Sequence, residues 1–136
     1  MKSSAKPILL IEDDQVDVIT TRRALKEIHV TNPLVVCEHG ELALDHLREA
    51  EELPCIALLD LNMPVMNGIE FLRNVKGDAR LRRMPVVVLT TSEELEDKRR
   101  SFDLGAAGYM AKPVDYRRFV EVMRSIDQYW TLSELP

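Results

Sequence analysis

Two groups of acids are the residues whose type and spacing most clearly favour chemistry. Residues 12–14, with the sequence Glu-Asp-Asp, follow the apolar run 8–11, and Asp60 follows the apolar run 55–59. Apolar runs without polar alternation are typical of strands buried on both faces, so each acidic group is predicted at the carboxyl end of a strand. One such acid has a local explanation, because Asp often begins a loop. Two of them in one small domain favour a shared site.

Acids gathered at one edge of a sheet need a positive partner. Two carboxylates about 4 Å apart repel each other by roughly 4 kcal/mol at a protein-like dielectric. A divalent cation relieves this repulsion, and ligands that are all oxygen atoms, with no His or Cys nearby, favour Mg²⁺ over Zn²⁺. The sequence therefore predicts Mg²⁺ as the cofactor of this site.

Two further polar residues follow apolar runs. Thr90 follows residues 85–89, and Lys112 follows residues 109–111. Lys112 contributes a fixed positive charge and Thr90 a neutral hydroxyl, so the set describes a pocket for a phosphoryl group, with Asp60 placed to attack phosphorus. The alternative is that Lys112 only neutralises the acids in a buried ionic cluster, an arrangement that is expensive in desolvation.

The elements that must position these residues alternate along the chain. Strands are predicted at residues 8–11, 34–37, 55–59, 85–89 and 109–111. Helices are predicted at residues 16–28, 40–50 and 93–104, with a short helix from Ile69 that ends at Gly77 and a fifth from Phe119 to Trp130. This alternation predicts an α/β fold, a flavodoxin-like doubly wound (βα)5 sandwich with a parallel five-stranded sheet in the order 2-1-3-4-5. In that order the switch point lies between strands 1 and 3, the two that end in acids.

The last two predicted helices differ in their apolar faces. Residues 93–104 are polar on most sides, with Ser92 as a candidate N-cap and Gly105 as the end, which predicts a marginal and mobile helix. The fifth helix has the clearest amphipathic stripe in the chain. Its members are Phe119, Val122, Met123, Ile126, Tyr129 and Trp130.

The composition is that of one ordinary globular domain. The chain has 136 residues, of which 46% are hydrophobic and 30% are charged, with a net charge of −5. Residues 1–136 are predicted to form a single domain with a short C-terminal extension at about 130–136. The acidic balance argues against nucleic acid as a partner, and we interpret Arg80, Arg82 and Arg83 as part of a solvated loop.

The sequence predicts neither a membrane span nor an export signal. The longest apolar run is too short to span a bilayer, and the N-terminus leads into the first strand without a separate apolar segment or a cleavage site. The chain is therefore predicted to be cytoplasmic, with no membrane partner. Cys37 and Cys55 lie among apolar residues without C-x-x-C spacing, which predicts buried free thiols.

Taken together, the motifs resemble the receiver domain of response regulators in bacterial two-component signalling. Residues 60–68 match the D-x-x-M-P-x-M-x-G signature of the phosphoacceptor, and residues 12–14 resemble the acidic triplet after the first strand. Residues 105–109 resemble the G-A-x-x-Y run, and Lys112 with Pro113 matches the K-P pair. The similarity covers nearly the whole chain.

The resemblance implies a role for each matching acid. Asp60 is the expected phosphoacceptor and takes the phosphoryl group from the phosphohistidine of a sensor histidine kinase. Asp13 and Asp60 are the expected direct Mg²⁺ ligands, Glu12 is expected to act through water, and the backbone carbonyl of Asn62 completes the protein ligands.

The resemblance also implies a switch. Lys112 is expected to contact the phosphoryl group, and Pro113 usually follows a cis bond in this family. Thr90 is expected to move toward the phosphate while Tyr109 rotates inward behind it. These movements would change the face formed by the fourth helix, the fifth strand and the fifth helix.

Some residues depart from the common pattern or point to a subfamily. Thr91 stands where the family often has a smaller residue, which would narrow access to the phosphate. The C-terminal residues are similar to those of stand-alone regulators paired with bacterial phytochrome kinases.

Because Tyr129, Trp130 and Leu132 extend the apolar stripe, a homodimer through the fourth helix, fifth strand, fifth helix and C-terminal extension is predicted.

Three functions compete at this point. The favoured one is a stand-alone response regulator of a phosphorelay, which is not an enzyme beyond slow self-catalysed phosphotransfer and dephosphorylation, and which acts on a downstream protein or phosphotransfer partner. The second is a Mg²⁺-dependent phosphohydrolase with Asp60 as nucleophile, although Asn62 stands where such enzymes generally need a second acid. The third is a receiver-like binding module that is never phosphorylated.

Overall fold

Strands and helices alternate from the first described residues to the last. The computed structural model describes residues 6–61, 63, 65–91 and 94–132 and, for residues 130–132, the backbone alone. The strands are β1 (Ile8–Ile11), β2 (Leu34–Cys37), β3 (Ile56–Leu59), β4 (Val86–Thr90) and β5 (Gly108–Ala111). The helices are α1 (Gln15–Glu27), α2 (Gly40–Glu49), α3 (Gly68–Lys76), α4 (Leu95–Asp103) and α5 (Tyr116–Leu132), with a short 3-10 helix at Leu81–Arg83.

The five described strands form one parallel sheet in the order β2-β1-β3-β4-β5. This confirms the predicted fold class and strand order. β1 lies directly beside β3, and Ile11 pairs with Leu59 at the end of the two strands. Their carboxyl ends are therefore level, so the residues that follow them, Glu12 and Asp60, emerge side by side.

Two apolar layers hold the sheet between its helices. Alternate strand residues such as Leu9 and Leu59 face the layer formed with α2 and α3, while Ile8 and Leu58 face the layer formed with α1 and α5. Every residue of β1 and β3 is buried, because both faces of these strands are covered. The central strands are thus a rigid base for the residues at their ends.

Most differences from the predicted elements are shifts of one or two residues. Thr90 is the last residue of β4 rather than the residue after it. Within the predicted helix 40–50, Ala43 and Leu47 are buried, whereas the side chain of Leu42 is exposed. The basic cluster does not simply lie in a solvated loop, because the Arg80 guanidinium donates to the carbonyls of Leu47 and Ala50 and so joins the α3–β4 connection to the end of α2.

The predicted thin packing of α4 is confirmed. Within Leu95–Asp103, Ser101 is the one residue classed as fully buried, and both Leu95 and Phe102 are exposed. Glu94 occupies the N-cap position without a side-chain hydrogen bond to the helix. The proposed cap, Ser92, lies outside the described residues. A helix with so few buried groups is held by little free energy.

The remaining sequence predictions have mixed outcomes. Cys37 and Cys55 are both free, but only Cys37 is buried and Cys55 is partly exposed. No helix in the described part of the chain is long and apolar enough to cross a membrane.

Candidate functional site

Three acids meet at the carboxyl edge of the sheet. Glu12, Asp13 and Asp60 each place a carboxylate oxygen within 4.8 Å of the others. The level ends of β1 and β3 create this meeting, because Asp60 donates its backbone N–H to the carbonyl of Ile11 at 3.1 Å. Glu12 is only 1% exposed, whereas Asp13 faces solvent and Asp60 is partly buried. The three acids thus run from the interior of the sheet to its surface.

Asp14, the third acid of the triplet, serves the backbone instead. It is the N-cap of α1, and its Oδ1 accepts hydrogen bonds from the backbone N–H groups of Val16 at 2.8 Å and Asp17 at 3.4 Å. Such bonds satisfy N–H groups that the first turn of a helix leaves without partners. Two acids of the triplet therefore belong to the cluster, and the third caps α1.

Lys112 is the cation of the cluster. Its backbone N–H donates to the carbonyl of Thr90 at 2.8 Å, which fixes the residue beside the end of β4. Its ammonium bonds Oε1 of Glu12 and lies 2.9 Å from Oδ2 of Asp17 and 3.8 Å from Oδ2 of Asp60. The Lys112 side chain is 11% exposed, so these charges interact with little screening by water.

Asp17 was not predicted from the sequence. It lies in the first turn of α1, and its side chain is 38% exposed. The available signal was indirect: α1 begins at the edge where the acids gather, so a carboxylate in its first turn is close to the site. Which way that carboxylate points depends on the rotation of the helix, which the local pattern left open.

The acids and the lysine shift each other's protonation. Burial raises the pKa of Glu12 to about 8, and the neighbouring Asp60 carboxyl adds to this effect while Lys112 opposes it. Burial lowers the pKa of Lys112, but hydrogen bonds to Glu12 and Asp17 outweigh it, so the net shift is upward. Lys112 is thus a firmly charged group at neutral pH.

The cluster fits a divalent cation. Oε2 of Glu12 is buried and has no hydrogen-bond partner among the described residues. A buried carboxylate oxygen in this condition is unfavourable unless a proton, a water or an ion satisfies it. Oxygen ligands alone suit hard cations. Asn62, whose backbone carbonyl was the predicted fourth ligand, lies outside the described residues.

Gly68 allows the chain to fold tightly behind Asp60. A Cβ on Gly68 would lie 2.6 Å from Cα of Leu61 and 2.7 Å from the carbonyl oxygen of Asp60. The Gly68 N–H instead donates to the carbonyl of Leu61 at 3.0 Å, and α3 starts there with a capping box between Asn67 and Glu70. The glycine of the signature is therefore explained by this close approach.

The predicted switch residues lie on the adjoining side of the sheet. Thr90 is fully buried at the end of β4, and Tyr109 in β5 is partly exposed. The ring of Tyr109 packs against Phe102 of α4, with 6.5 Å between centroids. Tyr109 therefore connects the edge strand to the weakly packed helix.

A cavity lies beside Lys112. Thr91 is exposed and, with Asp17, Thr20 and Lys112, lines a cavity of about 400 Å³. The Lys112–Pro113 bond is trans, so the cis bond that the resemblance implied is not found here.

Comparison with known proteins gives a consistent result. The family model described as response regulator receiver domain matches residues 8–124. The probable methanogenesis regulatory protein FilR2 of Methanothrix harundinacea is 36% identical over 127 residues, which cover 90% of this chain and 82% of that protein. Response regulator Rcp1 of Synechocystis is 32% identical over 130 residues, which cover 92% of this chain and 88% of that protein.

Solved structures agree with the sequence relatives. The phosphorylated cyanobacterial phytochrome response regulator RcpA has a TM-score of 0.89 and 34% identity, covering 97% of this chain and 99% of that chain. The Mn²⁺-bound form of Rcp1 has a TM-score of 0.87 and 31% identity, covering 96% of this chain and 99% of that chain. One similar protein has thus been solved with a phosphoryl group and another with a divalent cation.

Proposed function

The chain belongs to the response regulator receiver domain family and acts in phosphorelay signalling, and from this premise we propose that Asp60 is its phosphoacceptor. The observation that carries the proposal is the position of Asp60. It is a largely buried carboxylate at a strand end, flanked by two acids and 3.8 Å from the ammonium of Lys112. The expected donor is the phosphohistidine of a sensor histidine kinase.

In the proposed transfer, a carboxylate oxygen of Asp60 attacks the phosphorus of the phosphohistidine. The new O–P bond forms as the P–N bond breaks, and the electron pair of that bond returns to the imidazole nitrogen. Lys112 provides positive charge where the phosphoryl oxygens arrive, which stabilises them in a site that excludes much of the solvent. Hydrolysis later breaks the O–P bond and restores the Asp60 carboxylate with release of inorganic phosphate.

We propose Mg²⁺ as the resident cation. Asp13 and Asp60 would hold it directly, Glu12 through water, and the backbone carbonyl of Asn62 would complete the protein ligands. When bound, the cation neutralises negative charge between the acids and the phosphoryl group. The buried oxygen of Glu12 and the Mn²⁺-bound relative support a divalent metal at this cluster.

The proposed output is a change in α4, β5 and α5. Thr90 would turn toward the phosphoryl group, and Tyr109 would rotate inward into the space behind it. Because Tyr109 packs on Phe102, this rotation removes a contact of α4, a helix that has few others. A small free energy at Asp60 can therefore change the populated position of α4.

We propose two protein partners, a bacterial phytochrome kinase and a second copy of this chain. The similarity to RcpA and Rcp1 supports a bacterial phytochrome as the kinase. A homodimer through α4, β5, α5 and the C-terminal residues is supported by the edge position of β5 and by Tyr129, which is 60% exposed beside a cavity of about 350 Å³. Light scattering at tens of micromolar tests it, and a monomer mass with and without phosphorylation would refute it.

The test of Asp60 is the intact mass after incubation with acetyl phosphate and Mg²⁺. We expect one phosphoryl adduct in the unchanged chain and none in Asp60→Asn or with a chelator. Asp45→Asn, which removes an exposed acid from α2, is the matched control and should keep the adduct. A folded chain without an adduct would favour the binding module, and repeated turnover of small phosphoesters would favour the phosphohydrolase.

A further inference from the structure

We propose that Asp17 is a positioning residue that opposes phosphorylation by holding Lys112 on the α1 side of the site. This inference rests on the proposed function, since it concerns how Lys112 reaches a phosphoryl group on Asp60. The observation behind it is the unequal sharing of one ammonium. Lys112 lies 2.9 Å from Oδ2 of Asp17 but 3.8 Å from Oδ2 of Asp60.

Of the distances from the Lys112 ammonium to Asp17 and Asp60, only the first is within hydrogen-bond range. At 2.9 Å the ammonium donates a charge-assisted hydrogen bond to Asp17, whereas 3.8 Å is beyond hydrogen-bond range. Glu12 takes a second bond from the same ammonium. In this arrangement two of the three donors of Lys112 are directed to acids other than the phosphoacceptor.

A phosphoryl group on Asp60 changes this balance. It brings further negative charge into a cluster that already contains several acids around one lysine. The carboxylate of Asp17 then repels the phosphoryl group and also competes with it for the ammonium of Lys112. Glu12 still anchors Lys112 when Asp17 is removed, so the loss of Asp17 leaves the lysine in place and frees it to serve Asp60.

Asp17 lies where water can replace Lys112 as the partner of its carboxylate. Its side chain is 38% exposed and lies beside the cavity of about 400 Å³ that Thr20 and Thr91 also line. Water can therefore solvate Asp17 as soon as Lys112 leaves it. Glu12, in contrast, is buried and has no such exit. Asp17 is thus the partner that Lys112 can exchange.

The test compares two affinities in Asp17→Asn. With Mg²⁺ at saturation, we expect beryllofluoride, the probe for the phosphoryl group, to bind about three- to tenfold tighter than to the unchanged chain. Mg²⁺ alone should bind more weakly, because the variant lacks a nearby negative charge and lets Lys112 approach Asp60. Isothermal titration calorimetry measures both constants. General damage to the fold would weaken both.

The control is Glu27→Gln, which removes the same charge from the same helix. Glu27 accepts a hydrogen bond from Tyr116 and has no contact with Lys112, so we expect both affinities to stay within about twofold. Asp17→Ala provides a second variant, and chemical denaturation checks that each one folds.

Beryllofluoride binding in Asp17→Asn that is equal to or weaker than in the unchanged chain overturns the inference about Asp17. Equal gains in Asp17→Asn and Glu27→Gln also overturn it, because they would reflect net charge alone. No binding by the unchanged chain would contradict the proposed function instead.

Discussion

The two ends of this signalling device are built in opposite ways. At the proposed phosphoacceptor end, β1 and β3 are buried on both faces, and every residue of each strand is covered. At the proposed output end, α4 is largely exposed and β5 is an edge strand with partly exposed residues. The difference shows where each task belongs. Phosphoryl chemistry needs fixed geometry, whereas a response needs an element that little free energy holds in place.

Replacement of a phenylalanine by alanine in each of the two regions sharpens this comparison. Phe71 of α3 is 0% exposed, and Phe102 of α4 is 46% exposed. We expect Phe71→Ala to lower the free energy of unfolding by about 3–5 kcal/mol, because it leaves a cavity in the core. Phe102→Ala should lower it by less than about 1 kcal/mol. Urea denaturation measures both, and similar losses would remove the distinction between the two regions.

Gly68 and Gly77, at the two ends of α3, test the packing behind Asp60. The expected loss of stability is smaller than that in Phe71→Ala. Gly68→Ala places a Cβ against the backbone of Leu61 and Asp60, so we expect a loss of about 1–3 kcal/mol in unfolding free energy and slower phosphorylation. Gly77→Ala, at the other end of α3, meets nothing closer than the Arg73 carbonyl at 3.3 Å, at a φ of −83°. It should be nearly neutral. Equal effects of the two changes would contradict the close approach at Gly68.

The acid cluster predicts a pH dependence of stability, and its expected size is smaller than the loss in Gly68→Ala. Because burial raises the pKa of Glu12 from 4.5 to about 8, the folded chain keeps a proton that the unfolded chain releases between these values. The stability from this proton is fully present below pH 4.5 and is lost as the pH rises through 8. Asp60 and Lys112 face the same group, and the pKa of Lys112 is raised, so it stays charged throughout.

With a chelator present, we expect the free energy of unfolding to fall by on the order of 1–2 kcal/mol between pH 6 and pH 8. Glu12→Gln should flatten this slope, and Mg²⁺ should oppose it because the cation favours the ionised acids. Denaturation curves at several pH values provide the measurement. A stability that rises with pH in the chelated chain would show that Glu12 is ionised in the fold.

Much of this fold could be predicted because its signals are local. Continuous apolar runs mark the buried strands, and the residues directly after them reach one edge of the sheet whatever the details of packing. The structure accordingly brings together Glu12, Asp13, Asp60 and Lys112. Strand ends are fixed by the sheet, so one residue more or less, as at Thr90, does not move the site.

The features that could not be predicted depend on orientation between elements. Asp17 reaches Lys112 only through the rotation of α1 against the sheet. Asp14 turned out to be a helix cap, which its place in an acidic triplet concealed. Arg80 joins the end of α2 across 30 or more residues of sequence, a contact that no local pattern contains.

The most direct test of the central claim is hydrogen exchange with and without beryllofluoride and Mg²⁺. Mass spectrometry of peptides from α4 and β5 should show a changed exchange rate when the mimic binds, while peptides from β1 and β3 keep their slow exchange. Asp60→Asn should show no change in either region. Saturated binding that leaves α4 and β5 unchanged would contradict the account, because the charge added at the rigid end would then have no effect on the weakly held one.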